Sequence, residues 1–315
     1  MSMLNDVGAI PSAKDMDRRT SAISDEYAGT IGGDILAEVA DINLACGRFD
    51  EAVTLYRQAI AAGTTIEVFE RLAQASFPGP TYRDHLSVLH EQLKPKTYLE
   101  IGVFDGDTLA LARNGTIAVG VDPAPRSSAD RPYVAPTTIN RVTSDTYFAE
   151  RATQSGGPLP PIDFAFIDGL HHFDQVLRDF INLERICQSR SVVVIHDTLP
   201  VTAVSAQRER TSRYWCGDVW KIVPCLRRYR PDLTMITVPT FPSGLTILLG
   251  LKPGFAHNVD WYDEAIMEFG GLVFDDEASY ERIQGQDSSL IKNSSAILMA
   301  NVNAWFRVFD DQAMR

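Results

Sequence analysis

The chain has no run of about 18 apolar residues, so no stretch of it reads as a membrane-spanning helix. It has no block of lysine and arginine either. Its 29 basic against 41 acidic side chains give a formal net charge of −12, which argues against a nucleic-acid partner. The opening MSMLNDVGAIPSAKDMDRRTSAISDEYAG lacks the apolar core of a signal peptide, which predicts a cytoplasmic protein. Cysteine is scarce. Cys46, Cys187, Cys216 and Cys225 lack the CxxC pairing of a zinc site and are too few for a disulfide scaffold, so all four are expected to be buried thiols. Histidine is scarce as well: there are six, and three of them follow strand-like apolar runs directly.

What is present is a globular composition, 45% hydrophobic and 22% charged, in a chain long enough for one large domain or a core with an appendage. Residues 1–32 are polar and aperiodic and predict a flexible arm. Over 33–80 apolar residues recur at helical spacing (Ile35, Val39, Ile42, then Ala52, Leu55, Tyr56, Ala59), and Gly47 divides the run into a helical hairpin. ACGRFDEAVTLYRQAIAAG resembles the second half of a tetratricopeptide hairpin. One repeat cannot bury its own face, so the hairpin is expected to pack on the next domain or on a second copy of the chain, and a homo-oligomer is the expected assembly.

The pattern changes after SFPGP. Over 81–254 a helix, YRDHLSVLHEQL, leads to Pro95, and strand candidates follow at 97–102, 116–122, 137–143, 162–168, 191–197, 233–239 and 244–250. The first five are short and β-branched with helical signals between most of them, which predicts a parallel sheet with crossover helices. Only TFPSG separates the last two, too short for a parallel crossover, so they form an antiparallel hairpin. The fold class is therefore α/β: a seven-stranded, mostly parallel, Rossmann-like sheet with an antiparallel last strand and helical additions at both ends. Residues 255–315, with Trp261, Tyr262, Phe269, Trp305 and Phe306, read as a helical cover or dimer element.

YLEIGVFDGDTLALA runs from the first strand through a glycine-bearing turn into an expected helix. Gly102 permits the tight turn, Gly106 permits close approach of a ligand, and the helix amides from Thr108 onward are expected to be free to meet it. Asp122, at the end of the second strand, is placed to accept hydrogen bonds from a ribose diol; its other reading is a turn aspartate before Pro123. A dinucleotide fingerprint would have glycine where Glu100 stands, and Glu100 favours a cationic ligand over a pyrophosphate.

These residues, with GVDPAP, TSDTYFA, FIDGLHHFDQVLRDF, VVVIHDT and GDVWK, resemble the class I S-adenosylmethionine-dependent methyltransferases over about 82–252. More narrowly they resemble a bacterial small-molecule group that includes macrolide sugar O-methyltransferases and cephalosporin-hydroxylase-like proteins. The resemblance implies that Glu100, Gly102 and Gly106, with Val103 and Phe104 between them, line the methionine and ribose of S-adenosylmethionine. It also implies that Asp122 takes the ribose hydroxyls and that Ser144 and Asp145 flank the adenine. A helix N-cap ahead of TYFAERA is the other reading of Asp145.

In this topology the fourth and fifth strands end beside the first, so Asp168, His171 and His172 should converge with His196 and Asp197 over the reactive methyl. A hydroxyl acceptor must lose a proton as it attacks, and histidine is the natural base near neutral pH. In the macrolide-sugar relatives a D-x-x-H on this strand supplies a metal ligand and the base, which Asp168 and His171 match; His172 is the alternative base. Those relatives carry two adjacent acidic residues after the fifth strand where this chain has His196-Asp197. Asp168, His196 and Asp197 form a candidate site for Mg2+ or another divalent ion, or else His196 hydrogen-bonds Asp168 with no metal. The charges of FDQVLRDFINLERI read as a solvated face. In RYWCGDVWKIVPCL, Asp218 is a candidate N-cap and Trp220 a core residue, while Trp215 either walls the pocket or packs in the core. Arg213 and Tyr214 stand at the pocket rim. The function implied is an O-methyltransferase acting on a hydroxyl of a small metabolite, a sugar or a secondary-metabolite scaffold. The rivals are a non-methylating metal-dependent relative and a helical scaffold carrying an inactive domain.

Overall fold

The computed structural model describes residues 32–64, 68–127, 131–153, 160–253, 259–275 and 289–313. The arm expected over 1–32 lies, but for its last residue, outside the described residues. Contacts divide the chain into Met1–Ser76 and Phe77–Arg315. Among the described residues no helix is long and apolar enough to cross a membrane.

The first unit contains α1 (Gly33–Ala45), α2 (Phe49–Ala61) and α3 (Val68–Ser76). Gly47, at φ +71°, supplies the left-handed residue that ends the first helical run. Ala40, Ala52, Ala59 and Leu72 are fully buried. Tyr56 is buried with them, and its hydroxyl donates to Asp41 at 2.5 Å. Asp41 also pairs with Arg71, so one carboxylate ties all three helices. Cys46 is exposed, against the expectation of four buried thiols, because it caps the end of α1 rather than facing the core.

The second unit begins with α4 (Tyr82–Leu93), started by a Thr81/Asp84 capping box and stopped by a left-handed Lys94 before Pro95. The strands are β1 (Thr97–Ile101), β2 (Ile117–Val121), β3 (Thr137–Asn140), β4 (Ile162–Ile167), β5 (Cys187–His196), β6 (Thr234–Val238) and β7 (Leu245–Leu249), in the order β3-β2-β1-β4-β5-β7-β6. The first five run parallel, and β7 is antiparallel to both β5 and β6. The reversed strand therefore sits one place in from the edge. Every residue of β1 is buried, as a strand covered on both faces requires.

The helices of this unit are α5 (Ser144–Thr153), α6 (Phe173–Ile186), α7 (Ile222–Tyr229), α8 (Tyr262–Phe269) and α9 (Ser295–Ala313). Leu298, Met299 and Val302 of α9 join the core cluster that holds Leu86 and Leu89 of α4 and Ile236 and Val238 of β6. Two expectations are corrected. The helix expected from Thr108 onward is a single 3-10 turn, Leu109–Leu111, because the chain turns again at Gly115 (φ +91°) into β2 and leaves no length for more. The charges of α6 are not all solvated. Glu184 is fully buried in a two-pronged pair with Arg230 at 2.6 and 2.8 Å. Asp179 is buried against Gln175 at 3.0 Å.

His90, on α4, is fully buried edge-on to Tyr98 and Phe164, with no hydrogen-bond partner on either ring nitrogen among the described residues. Burial, helped by the nearby Arg113 charge, pushes it down from 6.5 to about 3. The unfolded chain takes up this proton below 6.5 and the folded chain refuses it until about 3, so the neutral ring's contribution is full above 6.5 and is lost as pH falls through that window. His90→Phe should remove this dependence. Urea unfolding at pH 7.5 and pH 5 should show wild type losing about 2 kcal/mol more than the variant between the two; equal losses would refute the assignment.

Candidate functional site

The site forms at the carboxyl edge of β1, β4 and β5, where the strand order turns back on itself. The backbone brings the loops together. Gly102 N–H donates to Val121 O at 2.9 Å and Asp168 N–H to Ile101 O at 2.8 Å, joining the ends of β2, β1 and β4. A Cβ on Gly102, which sits at φ +89°, would overlap the Asp168 carbonyl, so only glycine fits there. Asp122 staples the turn: Oδ2 accepts the amides of Val103 and Phe104, both at 2.9 Å, and Oδ1 accepts that of Ala124 at 2.7 Å. Its turn role is thus observed, and its carboxylate is half-buried. Phe104 is 55% exposed at φ +46°, and Leu170, after β4, is also 55% exposed.

Three other residues in this region have committed contacts. Glu100, expected to face a cationic ligand, is fully buried: Tyr98 donates to Oε2 at 2.6 Å and Thr108 to Oε1 at 2.8 Å. Burial raises its carboxyl to about 8, so it holds a proton at neutral pH and offers no counter-charge. A Cβ on Gly106 would meet Tyr133 Oη at 2.5 Å and Ser127 Oγ at 2.9 Å, so its near neighbours are this chain's own side chains. Val103 is buried, facing Gly120. The N-cap of α5 is Thr143, whose hydroxyl accepts the Thr146 amide at 3.2 Å, so Asp145 is not the cap. Asp145 is exposed, and Gln175 Nε2 reaches it and Ser144 Oγ, each at 3.2 Å.

The second wall gathers the predicted carboxylates and histidines. His171 lies between two acids, with Nε2 3.3 Å from Asp168 Oδ1 and Nδ1 3.0 Å from Asp197 Oδ2. His196 Nδ1 contacts Asp168 Oδ1 at 3.0 Å. Burial alone would lower the His171 pKa, but the Asp197 and Asp168 charges outweigh it and raise the ring to about 9. In this state it already holds the proton that a general base must accept. His196 is raised in the same way, chiefly by Asp168 and then Asp197. Burial would raise Asp168, yet the His196 charge and hydrogen bonds from both histidines hold it well below the carboxylate range. His171 and Asp197 are both left-handed, at φ +47° and +60°, an uncommon conformation that clusters at working sites. His172 begins α6, half-buried, its ring edge-on to Trp215 at 6.2 Å.

His171 Nδ1 and Asp197 Oδ2 are both buried and face each other without hydrogen-bond geometry. Asp168, His171 and Asp197 present one ligand atom each, all within 4.8 Å of one another. The expected metal set contained His196 in place of His171; His196 Nδ1 lies 3.0 Å from Asp168 Oδ1 and 3.6 Å from Asp197 Oδ1, with its ring stacked on Tyr82.

Tyr82 and Ser243 were not foreseen, Asp218 was foreseen in another role, and Trp215 takes one of its two expected roles. Tyr82 stacks on His196 at 4.4 Å, and burial followed by the Asp168 charge pushes its hydroxyl to about 12. Ser243 donates to Asp197 Oδ1. Trp215 stacks on His171 at 5.1 Å and 17°, which makes it a wall of the site, whereas Trp220 is fully buried against Phe274. Asp218 caps a helix other than its own: Oδ1 accepts the Phe173 amide of α6 at 2.7 Å, while Oδ2 pairs with the buried Lys221 at 2.9 Å. The TFPSG turn held the one signal for Ser243, since a hairpin from the last strand must return beside β5.

Residues 99–198 match the protein family described as a methyltransferase domain. No curated protein matches the chain. Among solved structures, the O-methyltransferase TomG from Streptomyces achromogenes, involved in tomaymycin synthesis and bound to S-adenosylmethionine, is 17% identical over 60% of this chain and 92% of its own, with a TM-score of 0.43. An O-methyltransferase from Bacillus cereus in complex with S-adenosylhomocysteine is 14% identical over 74% of this chain and 97% of its own, with a TM-score of 0.38.

Asp218→Ala should destabilise the protein by about 3 kcal/mol, since it removes the α6 cap and leaves the Lys221 ammonium buried without its carboxylate. Asp218→Asn keeps the cap acceptor and should cost less. Denaturant unfolding checks both; a loss under about 1 kcal/mol in the alanine variant would show that the cap and ion pair do not hold this end of α6.

Proposed function

We propose that this class I S-adenosylmethionine-dependent methyltransferase methylates a hydroxyl of a small metabolite, with Asp168, His171 and Asp197 binding a divalent ion beside the acceptor oxygen. The observation that carries this reading is the buried pair His171 Nδ1 and Asp197 Oδ2, which face each other at 3.0 Å with neither atom satisfied. An imidazole with two carboxylates suits magnesium, manganese or another divalent ion. The cofactor is assigned to the β1 turn, where Gly102 lets the β1 and β4 loops meet and where Phe104 and, after β4, Leu170 are exposed apolar side chains. Gly102 and Phe104 with Asp122, and Ser144 with Asp145, are the residues assigned to hold it.

Bound there, S-adenosylmethionine supplies a sulfonium methyl carbon for the acceptor oxygen to attack, with the electron pair of the broken C–S bond remaining on sulfur. A divalent ion would supply Lewis-acid polarisation of the acceptor hydroxyl. Asp168 is oriented by His196, and Asp197 by Ser243. His171 is assigned to the ion, so the hydroxyl proton is assigned to His172, the adjacent half-buried histidine and the alternative base of the pair. A metal-free reading is favoured by one contact, His196 Nδ1 to Asp168 at 3.0 Å, which already neutralises one acid.

Calorimetry should show S-adenosylhomocysteine binding, weakened in Asp122→Ala because the β1 turn loses two amide anchors. No heat in the wild-type protein would sink the methyltransferase reading. Manganese should bind the wild-type protein and not Asp197→Asn, and chelator should abolish turnover that magnesium or manganese restores. Turnover indifferent to exhaustive chelation supports the metal-free reading instead. His172→Ala should lower turnover by about a hundredfold or more with cofactor affinity unchanged, and full turnover in that variant would overturn the proton assignment.

A further inference from the structure

The segment 199–217 runs past the catalytic cluster and is firmly held. Leu199 N–H donates to Ser243 O at 2.7 Å, Cys216 N–H to Ser205 O at 2.9 Å, and the Tyr214 hydroxyl to Pro242 O at 2.5 Å. Trp215 Nε1 donates to Gln207 O at 2.7 Å, which fixes the indole that lies on His171. A Cβ on Gly217 would overlap the His171 carbonyl, so this segment and the β4 loop meet backbone to backbone.

Three arginines lie in this segment, and they are not equivalent. Arg208 is neutralised by Asp174 at 2.7 Å, with Asp218 3.6 Å away. Arg210 holds its guanidinium carbon 5.7 Å from the Trp215 ring centre, and its nitrogens reach only the carbonyls of Ser212 (3.4 Å) and Arg213 (3.2 Å). Arg213 is exposed. Neither Arg210 nor Arg213 meets a carboxylate among the described residues. In a chain of net charge −12, one guanidinium without a carboxylate, that of Arg210, thus stands one aromatic ring away from His171, with the exposed Arg213 three residues on in the same segment.

We propose that the methyl acceptor is an anion: a hydroxylated small molecule carrying a carboxylate or phosphate group that Arg210 and Arg213 bind, with its body along Trp215 and its hydroxyl at the cluster. This inference rests on the methyltransferase reading above. A guanidinium fork matches the paired oxygens of either group. The indole, stacked on His171 and lying under Arg210, spaces the two ends, so an acceptor whose anion and hydroxyl are about one ring apart is favoured over a neutral sugar.

The test is calorimetry on the full chain with benzoate, phenyl phosphate and neutral benzamide as probes, and S-adenosylhomocysteine measured on the same samples. Benzoate or phenyl phosphate should bind at least about tenfold more tightly than benzamide, and the better of the two identifies the anion. Arg210→Gln and Arg213→Gln should each weaken that binding roughly two- to fivefold, and the double variant about tenfold, with thermal midpoint and S-adenosylhomocysteine affinity unchanged. Equal binding of benzamide, undiminished anion binding in the double variant, or the same loss in Arg307→Gln on α9 would each overturn the proposal. If any of these occurs while S-adenosylhomocysteine still binds, the anionic acceptor alone falls; if S-adenosylhomocysteine fails to bind the wild-type protein, the reading beneath it falls as well.

Discussion

The site depends on two places where the chain approaches itself more closely than any side chain allows. At Gly102 the β1 turn presses on the carbonyl of Asp168, and at Gly217 the segment before α7 presses on the carbonyl of His171. Each contact brings a sequence-distant loop to the short stretch between β4 and α6, and the side chains of that stretch inherit their directions from it. His171 takes a left-handed conformation that an isolated peptide would avoid. The hydrogen bond from Asp218 N–H to His171 O, at 3.2 Å, belongs to the same junction.

Charge is organised within that frame by sharing. Two carboxylates and two imidazoles are interleaved, so that Asp168 serves both rings and His171 serves both acids. Such a set is tolerable in a buried place because each charge has an opposite neighbour within hydrogen-bond reach. Glu100, one strand away, follows the other route open to a buried acid and keeps its proton, held by Tyr98 and Thr108. Glu100 therefore adds no charge to the end of β1, whereas two acids and two histidines gather after β4 and β5.

The strands were legible because their information is local. Short β-branched runs bounded by turn residues mark β1 to β5, and TFPSG forces the reversal of β7. Asp168, His171, His196 and Asp197 were legible as a group because topology alone brings the ends of β4 and β5 together. Their surroundings were not, since Tyr82 on His196, Trp215 on His171 and Ser243 on Asp197 come from three other parts of the chain. Asp218 was read as a local cap because N-cap rules are local, but it closes a helix 45 residues earlier in the chain. Glu100 was read as open because sequence carries polarity and not depth.

The cysteines divide the molecule in a useful way. Cys187, Cys216 and Cys225 are buried within the sheet unit, and burial raises each thiol, Cys187 and Cys225 to about 12. Cys46, at the end of α1, is the exposed one. Thiolate is the reactive form, so a maleimide dye should mark the N-terminal unit at a single native position and leave the sheet unit unlabelled. The protein thus carries its own spectroscopic handle, one that reports on the helical unit without any engineered residue.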